Sequence, residues 1–190
     1  MTTNIIVRHC APTLAGIKCG NLFSCKYENL ANIKKTISSM NRTLNPKGVY
    51  LVALRICLKR VLIFVYRKDK VEEILETSEV QNFMKVYGYE EFSINSVFSR
   101  LRKRLAELDF PHEIGILLGY PLLDIEAFIE NKGKDYKCVG CWKVYGNEEE
   151  ARKTFQMYDK CKKNYLERVA QGTDINRLTV SVRKKKTVIG

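Results

Sequence analysis

Residues 49–66 read VYLVALRICLKRVLIFVY, eighteen positions of which only Arg55, Lys59 and Arg60 are charged. β-Branched and aromatic residues crowd both halves, and the polar Lys59–Arg60 pair divides them. That pattern predicts two strands in a hairpin, VYLVALRICL followed by VLIFVYRK. Apolar residues at both odd and even positions predict that the strands are central in a sheet covered on both faces.

Working outward, the flanking segments read as helices. Tyr27, Leu30, Ile33, Ile37, Met40 and Leu44 recur three or four apart, the stripe of an amphipathic helix stopped by Asn45-Pro46-Lys47-Gly48. Residues 71–87 predict one or two short helices. From Ser93, a plausible N-cap, Ile94, Val97, Phe98, Leu101, Leu105 and Leu108 line one face to Leu108 while the arginines point away. Phe110-Pro111 ends that helix, and IGILLG (114–119) predicts a short buried strand closed by Tyr120-Pro121. A helix follows over 122–130, then a strand at Cys141-Trp142-Lys143-Val144-Tyr145. Asn147 with Glu150 forms a capping box for a long helix running to about Gln171 and Gly172.

The expected architecture is therefore α/β, with α+β as the alternative: one domain over 1–172, built on a mixed sheet of about four strands with helices packed against it. Residues 173–190 form a basic tail expected to be extended or disordered. At 190 residues and 45% hydrophobic the chain suits one domain with a sizeable core. No stretch approaches the roughly 18–20 uninterrupted apolar residues of a membrane helix. Nor does MTTNIIVRHCAP resemble a signal peptide, so a soluble, cytoplasmic protein is expected.

Seven cysteines, an odd number scattered through the chain, suit reduced thiols better than a disulfide framework. The formal charge of +12 divides into +4 over 173–190, from Arg177, Arg183, Lys184, Lys185 and Lys186 against Asp174, and +8 over the remainder. Nucleic acid or another anionic partner is the class this charge invites, through the tail cations Arg183, Lys184, Lys185 and Lys186 and the helix bearing Arg100, Arg102, Lys103 and Arg104. These cations are not interleaved with exposed-looking aromatics, which favours a solvated basic surface over a dedicated nucleic-acid site.

Only two histidines occur, His9 beside Cys10 and His112 beside Glu113. Pro12 suits the first turn of a helix beginning there, which would leave Cys10 just outside a helix N-terminus, where the dipole favours thiolate. A thiol-centred site follows as one reading: Cys10 as nucleophile or redox thiol, His112 as base or thiolate partner, Glu113 as orienter. The competing reading is a non-enzymatic binding or adaptor protein for a metal, haem, a flavin-like ligand or an anionic partner. His9, Cys10, His112 and Glu113 make a donor set acceptable to zinc or iron, although neighbouring residues diverge by roughly 100° on a helix and do not readily share one ion. Trp142, Tyr145, Tyr120 and Phe128 are candidates to line a pocket for a flat ligand. Cys138 and Cys141 form a lone CxxC. A zinc knuckle would need two further ligands, for which Cys161 with His9 or His112 is the only supply. No Gly-rich phosphate loop or G-x-S-x-G occurs, which disfavours nucleotide and serine-hydrolase chemistry.

The segments HCAPTLAGIK (9–18), NLF (21–23), LNPKG (44–48), FVYR (64–67), FPHEIGILLGYPLLDIEAFI (110–129) and CWKVYG (141–146) together closely resemble the bacterial family known as domain of unknown function 3793. The resemblance spans roughly residues 5–172. It implies a compact intracellular bacterial domain whose hallmark motifs include both histidine segments, it sets Cys141 apart from relatives that often carry an aromatic residue there, and it specifies no chemistry.

Overall fold

The computed structural model describes residues 3–107 and 109–181. Leu108 and the tail cations Arg183, Lys184, Lys185 and Lys186 lie outside the described residues. Helix α1 (Thr3–Leu14) leads into strand β1 (Gly20–Lys26), and α2 (Leu30–Leu44) follows. The hairpin β2 (Val49–Cys57) and β3 (Arg60–Arg67) comes next, then α3 (Lys68–Leu75), α4 (Ser78–Lys85) and α5 (Ile94–Arg104). A single helical turn α6 (Ile114–Leu117) and α7 (Leu122–Glu130) precede a small hairpin, β4 (Cys138–Val139) and β5 (Lys143–Val144). The long α8 (Glu148–Ala170) and the short α9 (Ile175–Leu178) complete the described chain. No helix among these residues is long and apolar enough to cross a membrane.

The fold is α/β, but its main sheet has three antiparallel strands in the order β1-β3-β2, with β4-β5 as a separate pair. It is neither mixed nor four-stranded. The hairpin forms where expected, with its turn one residue early: Leu58 and Lys59 take φ of 46° and 59°, the left-handed pair of a two-residue type I′ connection, without a glycine. Only β3 is central. Along it Val61, Ile63 and Val65 face one cluster and Phe64 and Tyr66 the other, which is why the run is apolar on both faces. Strand β2 lies at an edge. There the Asn41 side chain accepts from Leu51 N at 2.7 Å and donates to Leu51 O at 2.9 Å, pairing the edge as a strand would.

Helices cover both faces of the sheet. Helices α1, α2, α8 and α9 pack on the Val61/Ile63/Val65 side, and α3 to α7 on the Phe64/Tyr66 side. Ser93 and Asn147 cap as the sequence predicts, accepting from Ser96 N and Glu150 N; α2 starts only at Leu30, inside the stripe that opens at Tyr27, because Asn29 caps it by accepting from Ala31 N.

Three expectations give way. The segment IGILLG is not a strand: Ile114–Leu117 form a helical turn, with Leu118 N bonding Ile114 O at 3.1 Å. A Cβ on Gly115 would come within 3.0 Å of Ile125 and 3.3 Å of Tyr120, so the turn is packed against α7 as closely as glycine allows. Pro12 does not open a helix. It sits in the last turn of α1, where it withholds one N–H from the ladder shortly before Gly16, at φ +79°, ends the winding. Residues 173–181 are not all extended, since 175–178 form α9, whose Ile175 and Leu178 are buried, and Val180 N donates to Leu14 O at 3.0 Å.

Arg67, at the end of β3, ties these pieces together. Its Nε donates to Thr13 O at 2.8 Å, and its Nη2 to Leu14 O at 2.6 Å and Val180 O at 2.8 Å. A buried guanidinium thus caps the carbonyl end of α1, where the helix dipole favours a cation.

Candidate functional site: an aromatic pocket between α6, α7 and the small hairpin

The turn α6 and the helix α7 meet at Gly119, whose φ of +73° reverses the chain, and Tyr120-Pro121 starts α7. This geometry sets Ile114 and Leu118 opposite Ile125 and Phe128. The β4–β5 hairpin closes the third side through Trp142 and Lys143, and Phe110 and His112 stand at the mouth. The result is a cavity of about 170 Å³, walled by the rings of Phe110, His112, Tyr120, Phe128 and Trp142 over an aliphatic floor.

The rings are mutually packed. His112 meets Phe128 edge to face at 4.9 Å and lies 5.8 Å from Phe110. Tyr120 stacks on Trp142 at 5.0 Å, and Trp142 meets Phe155 edge-on at 4.6 Å. Burial pushes the Tyr120 hydroxyl up to about 12, with Cys141 and Tyr158 acting in the same direction, so this wall is uncharged at neutral pH.

Asp124 holds the hairpin in place. Only 3% exposed in the first turn of α7, it accepts from Trp142 Nε1 at 2.7 Å, Tyr145 N at 2.8 Å and Gly146 N at 2.7 Å. Its Oδ1 thereby binds two backbone N–H groups and its Oδ2 the indole, so the carboxylate is committed to structure. The polar groups left at the rim are the exposed imidazole of His112 and Lys143. The Lys143 ammonium donates to Gly133 O at 2.6 Å and lies 4.6 Å from the Tyr136 ring centre.

Of the four aromatics expected to share a pocket, Tyr120, Phe128 and Trp142 do so. Tyr145 does not: its hydroxyl donates to Lys134 O at 2.8 Å. Asp124, Phe110 and Lys143 were not singled out in the sequence. Asp124 carries one local signal, an acid at the third position of a helix, where the dipole favours it.

The expected Cys10 site is not assembled. Cys10 is inside α1 rather than before a helix N-terminus, and it is fully buried in the cluster containing Val61, Ile63 and Val65. Burial drives its pKa up, with Lys18 opposing weakly, which holds the sulfur as a thiol. His112 and Glu113 enter α6, whose Ile114 packs on the other face of the sheet. Cys10 and His112 are therefore on opposite sides of β3. Glu113, 1% exposed, turns away from His112: its Oε1 accepts from Tyr89 OH at 3.2 Å and Arg104 Nε at 3.0 Å, while its Oε2 has no partner. His9 is exposed on α1 and stacks on Phe23 at 5.0 Å. No group of three or more His, Cys, Asp or Glu side chains placed to hold a metal occurs among the described residues. The set His9, Cys10, His112 and Glu113 is accordingly dispersed.

Cys138 is buried in the cluster of the small hairpin and Cys141 is exposed in its turn, both as free thiols. The glycine between them has a packing reason, since a Cβ on Gly140 would fall on the Phe155 ring. On α5, Arg100 donates twice to Tyr87 O, at 3.0 and 2.8 Å, and Arg104 pairs with Glu113 and Glu107. Arg102 Nε donates to Ala53 O at 3.4 Å, so three of the four α5 cations expected to meet an anionic partner are engaged within the fold.

The family described as "Protein of unknown function (DUF3793)" matches residues 6–179. No curated protein and no solved structure matches the chain.

Proposed function

The chain belongs to the DUF3793 family, whose description carries no activity, and on the geometry of its pocket we propose that it is a binding protein for a small planar aromatic ligand. The observation that carries this reading is the ring-walled cavity of about 170 Å³. Its size is close to that of an engineered apolar cavity of about 150 Å³ that takes up benzene, and it suits one or two rings rather than a haem or a complete flavin. Besides Asp124, whose carboxylate is taken up by its three donors, the polar side chains of the lining are at the rim, where His112 and Lys143 favour a ligand bearing an acceptor or a carboxylate. A few placed polar groups at the mouth of an apolar pocket fix orientation, while ring contact supplies affinity.

Trp142 is the only tryptophan in the chain and forms one wall, so its emission reports occupancy directly. Titration with benzoate and with toluene should change Trp142 fluorescence saturably, with benzoate tighter and its advantage reduced in His112→Leu. Filling the floor with Leu118→Trp should abolish the benzoate response of Trp142, read from nuclear magnetic resonance of its indole N–H. A folded protein in which neither probe gives a saturable change refutes the proposal.

A further inference from the structure

One titratable group outside the pocket has no electrostatic partner. Lys18, in the connection from α1 to β1, is 5% exposed. Its ammonium lies 5.2 Å from the ring centre of Tyr120 and 6.0 Å from that of Tyr158. Among the described residues no carboxylate pairs with it and no acceptor takes its protons, whereas the other buried cation, Arg67, makes three charge-assisted bonds to carbonyls. The groups coupled to Lys18 are thiols: Cys10 on α1, Cys19 beside β1 and Cys141 in the hairpin turn. Burial raises all three, Cys19 up to about 12, so at neutral pH none supplies a negative charge. Cys19 is further occupied in donating to Leu117 O at 2.8 Å.

A lysine in that setting is held by two π faces alone, a weak substitute for hydration. Burial without a counter-charge favours the neutral amine, and the direction of the Lys18 pKa, lowered chiefly by burial, agrees. The amine is not sealed, because the fully enclosed, unpartnered polar side-chain atom among the described residues is Glu113 Oε2.

We propose that Lys18 is a nucleophilic amine that captures a small aldehyde or ketone as an imine. The Nζ lone pair forms a bond to the carbonyl carbon, and the C=O π pair moves to oxygen, which takes up a proton as nitrogen gives one up. The carbinolamine hydroxyl then leaves as water after protonation while the nitrogen lone pair forms C=N. Neutral amine, carbonyl compound and one proton from solvent thus become protonated imine and water, with no oxidant or reductant consumed. This site does not depend on the ligand of the aromatic pocket, with which it shares only Tyr120.

The test is acetaldehyde at limiting concentration with cyanoborohydride at pH 7, followed by peptide mapping. Lys18 should be alkylated faster than the exposed Lys34, Lys35 and Lys85, because a lysine whose pKa is lowered by burial holds a larger fraction of neutral amine at pH 7. The preference should vanish in urea, and Lys18→Arg should leave only the slow background. Lys18 alkylated no faster than the exposed lysines in folded protein overturns the proposal, whether the amine is charged or closed off.

Discussion

The aromatic pocket depends on one carboxylate, and replacing Asp124 tests that dependence. Asp124 accepts three hydrogen bonds of 2.7–2.8 Å while 3% exposed. Hydrogen bonds to a charged group contribute about 1.5–3 kcal/mol each. The three share one acceptor and cannot be added, and in Asp124→Ala the freed backbone donors of the hairpin regain water. The expected net loss is about 3–4 kcal/mol. Asp124→Asn is the milder change. Its oxygen can keep Tyr145 N and Gly146 N, but its amide then faces Trp142 Nε1–H donor to donor, at a cost of about 1–3 kcal/mol. Urea denaturation followed by Trp142 emission measures both. The alanine variant should lower the midpoint most and show red-shifted emission before the main transition, because Trp142 loses its anchor; the asparagine variant should fall between it and the parent. Emission unchanged in Asp124→Ala, with a stability loss under about 1 kcal/mol, would show that the hairpin is held by ring packing alone.

Other perturbations probe the remaining steps. Replacing Leu58-Lys59 by Asn-Gly should raise stability by about 1 kcal/mol, because both positions have left-handed φ; a lower denaturation midpoint would contradict the turn geometry. Gly140→Ala should cost about 1–3 kcal/mol and perturb Trp142 emission, since Phe155 fills the space a methyl would need; a neutral outcome would show that the hairpin turn shifts freely. Iodoacetamide at neutral pH should modify the exposed Cys57 and Cys141 well before Cys10 and Cys19, and early modification of Cys10 would restore the thiol-site reading. Stability should also fall as pH rises from about 9 toward 12. The unfolded chain releases thiol protons near the ordinary value of 9.0, whereas folded Cys19 keeps its proton until about 12, so the folded state binds more protons in that window. Cys19→Ala should flatten the decline, and urea midpoints that stay level from pH 9 to 11 in the parent would contradict it.

Local chemistry made much of the fold legible. Ser93 and Asn147 announce the starts of α5 and α8 because a side-chain oxygen near free N–H groups satisfies them whatever lies beyond. The hairpin declares itself by its letters, and the double-sided apolar pattern of β3 reflects its central place. The same pattern misleads for β2, whose edge is closed not by a strand but by Asn41, a residue that carries no strand signal.

Other features were decided only when the chain closed on itself. IGILLG is apolar throughout, so its period cannot separate strand from helix; the contact of Gly115 with Ile125 and Tyr120 settles it as a turn. Pro12 is compatible with the first turn of a helix and with its last, and Gly16 and Arg67 choose the last by ending and capping α1. That choice moves Cys10 from a helix entrance into the core. The pocket likewise joins residues from 110 to 143 through three hydrogen bonds to Asp124 that no spacing announces. The sequence by itself determined where α5 and α8 begin and where the β2–β3 hairpin lies, because caps and alternation act within a few residues. Which side chains share a cavity, and which thiols and amines lose their water, was decided by tertiary packing, because desolvation and ring contact depend on distances between segments far apart in the chain.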